Sequence, residues 1–334
     1  MKKFLLILTG LMLPLLSFAQ FAKVGTVGAK FLDIGVGAKA LGMGSAYTAV
    51  GKDASALYWN PGLLTRVEGR DLFFTDAVLY AGMHYFSGAF LQDLWNGKFG
   101  IFYSFLDIGD MTLTTPENYE GTGETFTYTP MVGGVSYARM LTDKFSFGCN
   151  LKFVYESYNI GPLEEYPLVL DIGPAMGIAF DIGSLYYTGW KSLRMAISIL
   201  NFGPDMRPSG KYKSFSGDAP GEMMEIKKKF DTYSLPLVFK LGFAMEAFES
   251  DMGYLTVAAD WLHPSDNRER GAVGFEYVLM NQLIFRSGYE LLRDDEGGLS
   301  AGLGVTFGGL KVDYSFTDHG FLPDVHRVSL GMSL

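Results

Sequence analysis

The chain has 334 residues, 48% of them hydrophobic, 15% aromatic and only 19% charged, with a formal net charge of −9. So little charge and so many aromatics exclude a disordered chain, and the acidic balance, with no basic cluster to track phosphates, excludes nucleic acid as a partner. The 42 glycines far exceed the usual share of about 7% but follow no G-X-Y period, which excludes collagen and points to strands carrying small residues on one face.

In chain order, residues 1–19 read as a signal peptide. Lys2 and Lys3 precede an apolar run from Phe4 to Leu16, and Ser17 and Ala19 supply small residues for cleavage after Ala19. The run is too short to span a bilayer, which needs about 20 residues. Cys149 is the one cysteine, so no internal disulfide is expected although an exported protein would permit one.

Residues 20–70 lack strand alternation and are dense in small side chains. Gly37, Gly42 and Gly44 precede Asp53 and the Asn60-Pro61 pair. Small residues let backbone pack closely, so this stretch is expected to form a plug inside a barrel. Asp53 or Ser55 would cap a short turn, and Asn60-Pro61 would turn the chain before the first strand.

From residue 71 to 334 the dominant period is two. Leu299, Ala301, Leu303, Val305 and Phe307 alternate with Ser300, Gly302, Gly304 and Thr306, and similar stretches recur upstream. About fourteen strands are expected, beginning near residues 71, 83, 97, 128, 144, 166, 191, 233, 252, 270, 282, 297, 309 and 325. Short connections such as Asp93–Asn96 and Phe248–Asp251 alternate with long ones at Gly109–Thr127 and Gly203–Thr232, and Asp181–Lys191 reads as a turn. A soluble β-domain would bury its bulky face. Here the small face suits a crowded lumen and the bulky face suits lipid, so the fold class expected is an all-β transmembrane outer-membrane barrel of antiparallel strands. Leu303 should then meet lipid and Gly304 the lumen.

By the same parity, Lys152, Glu156, Arg194, Lys240, Glu246, Asp260, Glu276, Arg286, Glu290, Lys311, Asp313 and Arg327 face inward, six of each sign. A selectivity filter would show one sign in excess, so this balance is read as structural ion pairing rather than a solute pathway. In the longest loop, Lys227, Lys228, Lys229 and Phe230 mix charge with apolar surface, which suits either a partner site or a plain solvated stretch.

No enzyme is expected. Gly298–Gly302 fits G-x-S-x-G, with Asp313 and His326 in hydrolase order, but Ser300 lies mid-strand where a strand-to-helix elbow is required. Gly35–Ala40 fits a loose dinucleotide pattern with no alternating helices after it. The histidines, His84, His263, His319 and His326, lack metal-ligand spacing, so neither metal nor cofactor is expected.

Gly37–Ala46, Asp53–Leu63, Ser136–Arg139, Leu200–Gly203, Asp260–Pro264, Arg286–Tyr289 and His326–Leu330 together resemble the PorV/PorQ family, related to the FadL long-chain fatty-acid transporters. The resemblance implies a fourteen-stranded barrel in the bacterial outer membrane, in contact with its lipid and holding an N-terminal segment inside. It also implies a non-enzymatic component of type IX protein secretion and surface attachment, docking secreted cargo or secretion-system components on its external loops. The alternative is a FadL-like passive channel for hydrophobic small molecules. The secretion role is the preferred expectation, on the closer resemblance and the balanced lumen charge.

Overall fold

The computed structural model describes residues 25–114, 118–159, 170–216, 224–293 and 297–334. The expected signal peptide and the strand start at residue 166 lie outside the described residues. The strands are β1 (Asp71–Val78), β2 (His84–Leu94), β3 (Gly97–Asp107), β4 (Met111–Thr112), β5 (Thr125–Thr142), β6 (Phe145–Asn159), β7 (Leu170–Tyr187), β8 (Arg194–Phe202), β9 (Pro208–Ser216), β10 (Met224–Lys228), β11 (Val238–Ser250), β12 (Gly253–Pro264), β13 (Arg270–Leu279), β14 (Leu283–Leu291), β15 (Leu299–Phe307), β16 (Leu310–Thr317) and β17 (Val325–Ser333).

Setting aside the short accessory strands β4, β9 and β10, fourteen antiparallel strands form the wall. Each pairs with its neighbour in sequence; β8 pairs directly with β11, and β17 pairs with β1 from Asp71↔Ser333 to Val78↔His326, which closes the ring. Closure leaves no unpaired edge, the condition for a sheet to cross lipid. Sequence alternation becomes two faces. Along β15, Leu299, Leu303 and Val305 point out and are half or more exposed, while Ser300, Gly302 and Gly304 are buried inside. Bulky apolar groups face outward elsewhere too, as at Ile101, Phe153, Phe285 and Leu330.

The two ends differ. At one, Trp95-Asn96 and Gly308-Gly309 link strands directly, all four residues at positive φ, the two-residue geometry that matches strand twist. The longer connections lie at the other end.

Three expectations need correction. The stretch expected as a loop at Gly203–Thr232 contains β9 and β10, which pair with each other, and β9 also pairs with the start of β7. The wall strand expected from residue 233 begins at Val238. Pro236 has no N–H for a ladder, and Tyr233 bonds both ways with Met206 instead. Asp181–Lys191 is not a turn throughout: β7 continues to Tyr187 and carries Asp181 within the wall. The Ile182-Gly183-Ser184 run imitates a turn because Gly183 must leave room for Asn60 and Pro61.

The N-terminal segment lies within the ring. It starts among the long connections, where the Gly28 amide donates to the Ser234 carbonyl and Lys30 bonds Asp266. It continues through a 3₁₀ turn at Lys30–Asp33, helix α1 (Ala38–Gly42) and 3₁₀ turns at Ala54–Tyr58 and Pro61–Arg66. It ends at the opposite rim, where Arg70 and Leu334 exchange backbone hydrogen bonds of 3.2 and 2.8 Å. Helix α1 packs on β14 to β17 and the Pro61–Arg66 turn on β5 to β7. One segment touching both sides of a closed ring occupies its interior.

Candidate functional site in the lumen

Close approach comes first, because the segment's backbone touches the wall's backbone. A Cβ on Gly42 would stand 3.1 Å from the Gly302 Cα, and one on Gly242 would stand 2.7 Å from the Thr48 Cβ. Gly44 has φ +60°, and a Cβ there would meet the Tyr289 nitrogen at 2.5 Å; both its conformation and its neighbours demand glycine. Gly37 also has positive φ and faces the Phe73 ring. Much of the glycine content therefore has a local cause: glycines on both surfaces let segment and wall meet.

The segment's irregular backbone leaves buried N–H and C=O groups that no ladder satisfies, and each needs a partner. The wall supplies many of them. The Asp260 Oδ2 accepts from the amides of Tyr47 at 2.9 Å and Thr48 at 2.8 Å. The Ser329 Oγ accepts from the Ala38 amide at 2.8 Å, and the Asp71 Oδ1 from the Ala54 amide at 2.8 Å. In the other direction, the Arg194 Nε donates to the Ala49 carbonyl at 2.7 Å and the Asn150 Nδ2 to the Leu57 carbonyl at 3.0 Å. Within the segment, the Asp53 Oδ1 caps the Ala54–Tyr58 turn by accepting from the Ser55 amide. Asn60 does the same for the turn opened by Pro61, its Oδ1 accepting from the Gly62 amide at 2.9 Å. Its Nδ2 donates to the carbonyls of Thr48 and, across to the wall, Ser184.

The inward charges divide by environment. Arg286 bridges Glu276 through Nε and Asp313 through Nη1, both at 2.7 Å. Arg194 meets Glu246 at 2.8 Å and Lys152 meets Asp181 at 2.8 Å. Lys39 of the segment joins this network through Asp53 and, at 3.6 Å, Asp313. Asp260 serves backbone amides instead. Lys240 holds its Nζ 4.4 Å from the centroid of the Trp59 ring. Arg327 is buried, with no hydrogen-bond partner for Nε or Nη1 among the described residues. Asp181 and Lys39 escaped sequence reasoning, Asp181 because it was assigned to a turn and Lys39 because the segment offers no parity to read.

Above the segment, toward the long connections, a cavity of about 260 Å³ remains. Tyr58, Trp59, Tyr85, Phe102, Leu200 and Leu262 give it an apolar body. Its charged lining is uneven: five cations (Lys152, Lys240, Arg270, Arg293 and Arg327) against two carboxylates (Asp33 and Glu290). Lys152 pairs with Asp181, and Arg270 and Arg293 share Glu290, so among the described residues Lys240 and Arg327 are the cavity cations with no carboxylate at ion-pair distance.

Other candidate residues do not converge. Ser300 faces inward, His326 stacks on Tyr314 on the outer face, and Asp313 is held by Arg286, so no hydrolytic triad assembles. His84 pairs with Asp76 and His263 with Glu269, both apart from the cavity, whereas His319 lines it. Lys227 and Lys228 end β10, Lys228 and Lys229 are exposed, and Phe230 is half-buried.

No protein-family model and no curated protein sequence matches the chain. Solved structures do. The chain is similar to the CymD monoaromatic hydrocarbon channel, with a TM-score of 0.60 and 17% identity over 90% of this chain and 98% of that one. It is similar to the P. putida toluene transporter TodX, with a TM-score of 0.59 and 13% identity over 90% and 99%. At these identities the likeness shows a shared fold, a closed antiparallel β-barrel.

Proposed function

We propose that this chain is a non-enzymatic channel for hydrophobic small molecules in an outer membrane, with residues 25–70 as its stopper. The observation that carries this reading is the cavity of about 260 Å³ inside the lumen, walled by aromatic and aliphatic side chains and floored by the N-terminal segment. Concave, mostly apolar sites with a few polar groups are what small ligands occupy. The solved structures that share the fold at TM-scores near 0.6 are described as a monoaromatic hydrocarbon channel and a toluene transporter, which favours solutes of that class.

A passage must displace part of the segment or leave through the wall. The wall has a seam suited to the second route. Above Phe180↔Phe202 the strand β7 abandons β8 for β9, and buried Met206 fills the space beside Gly177. The PorV/PorQ resemblance and the type IX secretion role it implies draw no support from the structures that match, so the channel takes precedence.

The test is uptake of labelled toluene by a bacterial host that lacks hydrocarbon channels of its own. Cells expressing this chain should take it up several-fold faster than cells with an empty vector. Equal rates contradict the channel. Deleting the protein from its own host should leave the set of secreted proteins unchanged; loss of surface-attached proteins would restore the secretion role.

A further inference from the structure

We infer that the lumen cavity carries an anion subsite centred on Arg327, so that beside neutral aromatic solutes it takes compact aromatic carboxylates, and holds them more tightly. This rests on the channel reading for its biological sense, but the binding site itself does not.

The starting point is an uncompensated charge. Arg327 is 4% exposed, and its Nε and Nη1 have no hydrogen-bond partner. A buried guanidinium without a counter-ion is costly, and elsewhere in this lumen the cost is met: Arg286 has two carboxylates, Arg194 has one, and Lys152 has Asp181 and Asn201. Among the described residues Arg327 has no such partner. The carboxylate closest in role, Glu290, is taken by Arg270 at 3.0 Å and Arg293 at 3.4 Å. Ser315, directly across the ladder from Arg327, and Thr317 have buried hydroxyls that are unpartnered as well. Among the described residues the wall therefore leaves this cation unanswered.

What answers it must arrive through the cavity that Arg327 lines. Two other cations look into the same space. Among the described residues the Arg270 Nε also lacks a partner, and Lys240 lies against the Trp59 face. A planar guanidinium fork matches a carboxylate, and the pairing is strongest where water is excluded. The rest of the molecule is set by the remaining lining. Tyr58, Trp59, Tyr85 and Phe102 offer rings to stack an aromatic body. Volume limits its length, because a cavity of about 150 Å³ already holds benzene. The 260 Å³ here accommodates one ring and a carboxylate, not a long acyl chain. Inorganic phosphate would satisfy the charge but leave the apolar walls empty.

The experiment is calorimetric titration of the purified full chain in micelles with benzoate, its neutral analogue benzyl alcohol, and inorganic phosphate. Benzoate should bind at least about tenfold more tightly than benzyl alcohol, as expected for a charge-assisted pair, and phosphate should bind more weakly than benzoate. Arg327→Gln should abolish the advantage of benzoate while leaving benzyl alcohol within about twofold, which also reports an intact cavity. Arg327→Lys, which keeps the charge and loses the fork, should fall between. Equal binding of benzoate and benzyl alcohol by the unaltered chain overturns the proposal. So does an advantage that survives Arg327→Gln, or phosphate binding as tight as benzoate. If benzoate binds as described but the toluene uptake test fails, the subsite stands and the channel reading falls.

Discussion

The wall and the segment it encloses solve one problem in opposite ways. Every strand of the wall satisfies its backbone through its neighbours in a closed ladder, so its side chains are free to be sorted by solvent: bulky apolar groups outward, small and polar groups inward. The segment, built of one five-residue helix, three 3₁₀ turns and irregular links between Gly25 and Arg70, has no ladder. Its amides and carbonyls are met by wall side chains such as Asp260, Ser329, Asp71, Arg194 and Asn150. The difference teaches what the inner face is for. Many of its polar residues hold a particular backbone in place rather than lining a pore.

That contrast is broken most severely from the lipid side. Leu303, which is 55% exposed on the outer face, should not tolerate a charge: Leu303→Arg should cost about 2–4 kcal/mol in a urea titration of the chain in lipid vesicles. A loss below 1 kcal/mol would mean that this face does not meet lipid.

The next effect lies at the seam between the two regions. A side chain at Gly288 would strike the backbone of Met43 and Gly44. Gly288→Val should destabilise by about 1–3 kcal/mol. Limited proteolysis should then show residues 36–66 cut while the strands stay intact. Strands and segment lost together would show that the wall depends on what it contains.

One borrowed acceptor, the Ser329 hydroxyl that itself donates to the Thr75 Oγ1 at 2.8 Å, sharpens the point. Ser329→Ala removes the acceptor for the Ala38 amide and should cost about 1 kcal/mol. Faster hydrogen exchange should be confined to the start of α1; a uniform increase along β16 and β17 would place the effect in the wall instead.

The smallest effect concerns neither stability nor the lumen. A protease added to intact cells should cut beside exposed Lys228 or Lys229, at the end of β10, and spare Phe248–Asp251 at the opposite rim. The reverse pattern would invert the molecule in the membrane.

The same contrast explains what the sequence made legible. In β15 and β16, neighbours alternate between lipid and a crowded interior, and a period of two survives in the residues themselves. The expected starts of β1, β3, β13 and β17 coincide with the observed ones. The period fails where a strand serves something other than two solvents. At Ile182-Gly183-Ser184 the inner position is emptied for Asn60 and Pro61, and β7 looked like a turn. Across residues 203–237 the chain forms an accessory hairpin and then a Pro236-bearing link, and loop and strand signals are mixed. The site was less legible than the wall. Parity put Arg327 and Lys240 among the inward charges, but which inward charges find partners depends on segment residues such as Lys39 and Asp53. Their positions follow from capping and close packing and leave no period to count. Balanced totals along the chain concealed a cavity lined by five cations and two carboxylates.

Single-channel conductance in a planar bilayer tests most directly the claim that the segment fills the lumen and is held there by the wall. The unaltered chain should insert and conduct almost no current, because Ala38, Leu57, Asn60 and Leu63 are fully buried within the ring. A chain lacking residues 25–66 should give large, long-lived openings from the same number of insertions. Indistinguishable conductance from the two chains would contradict the account.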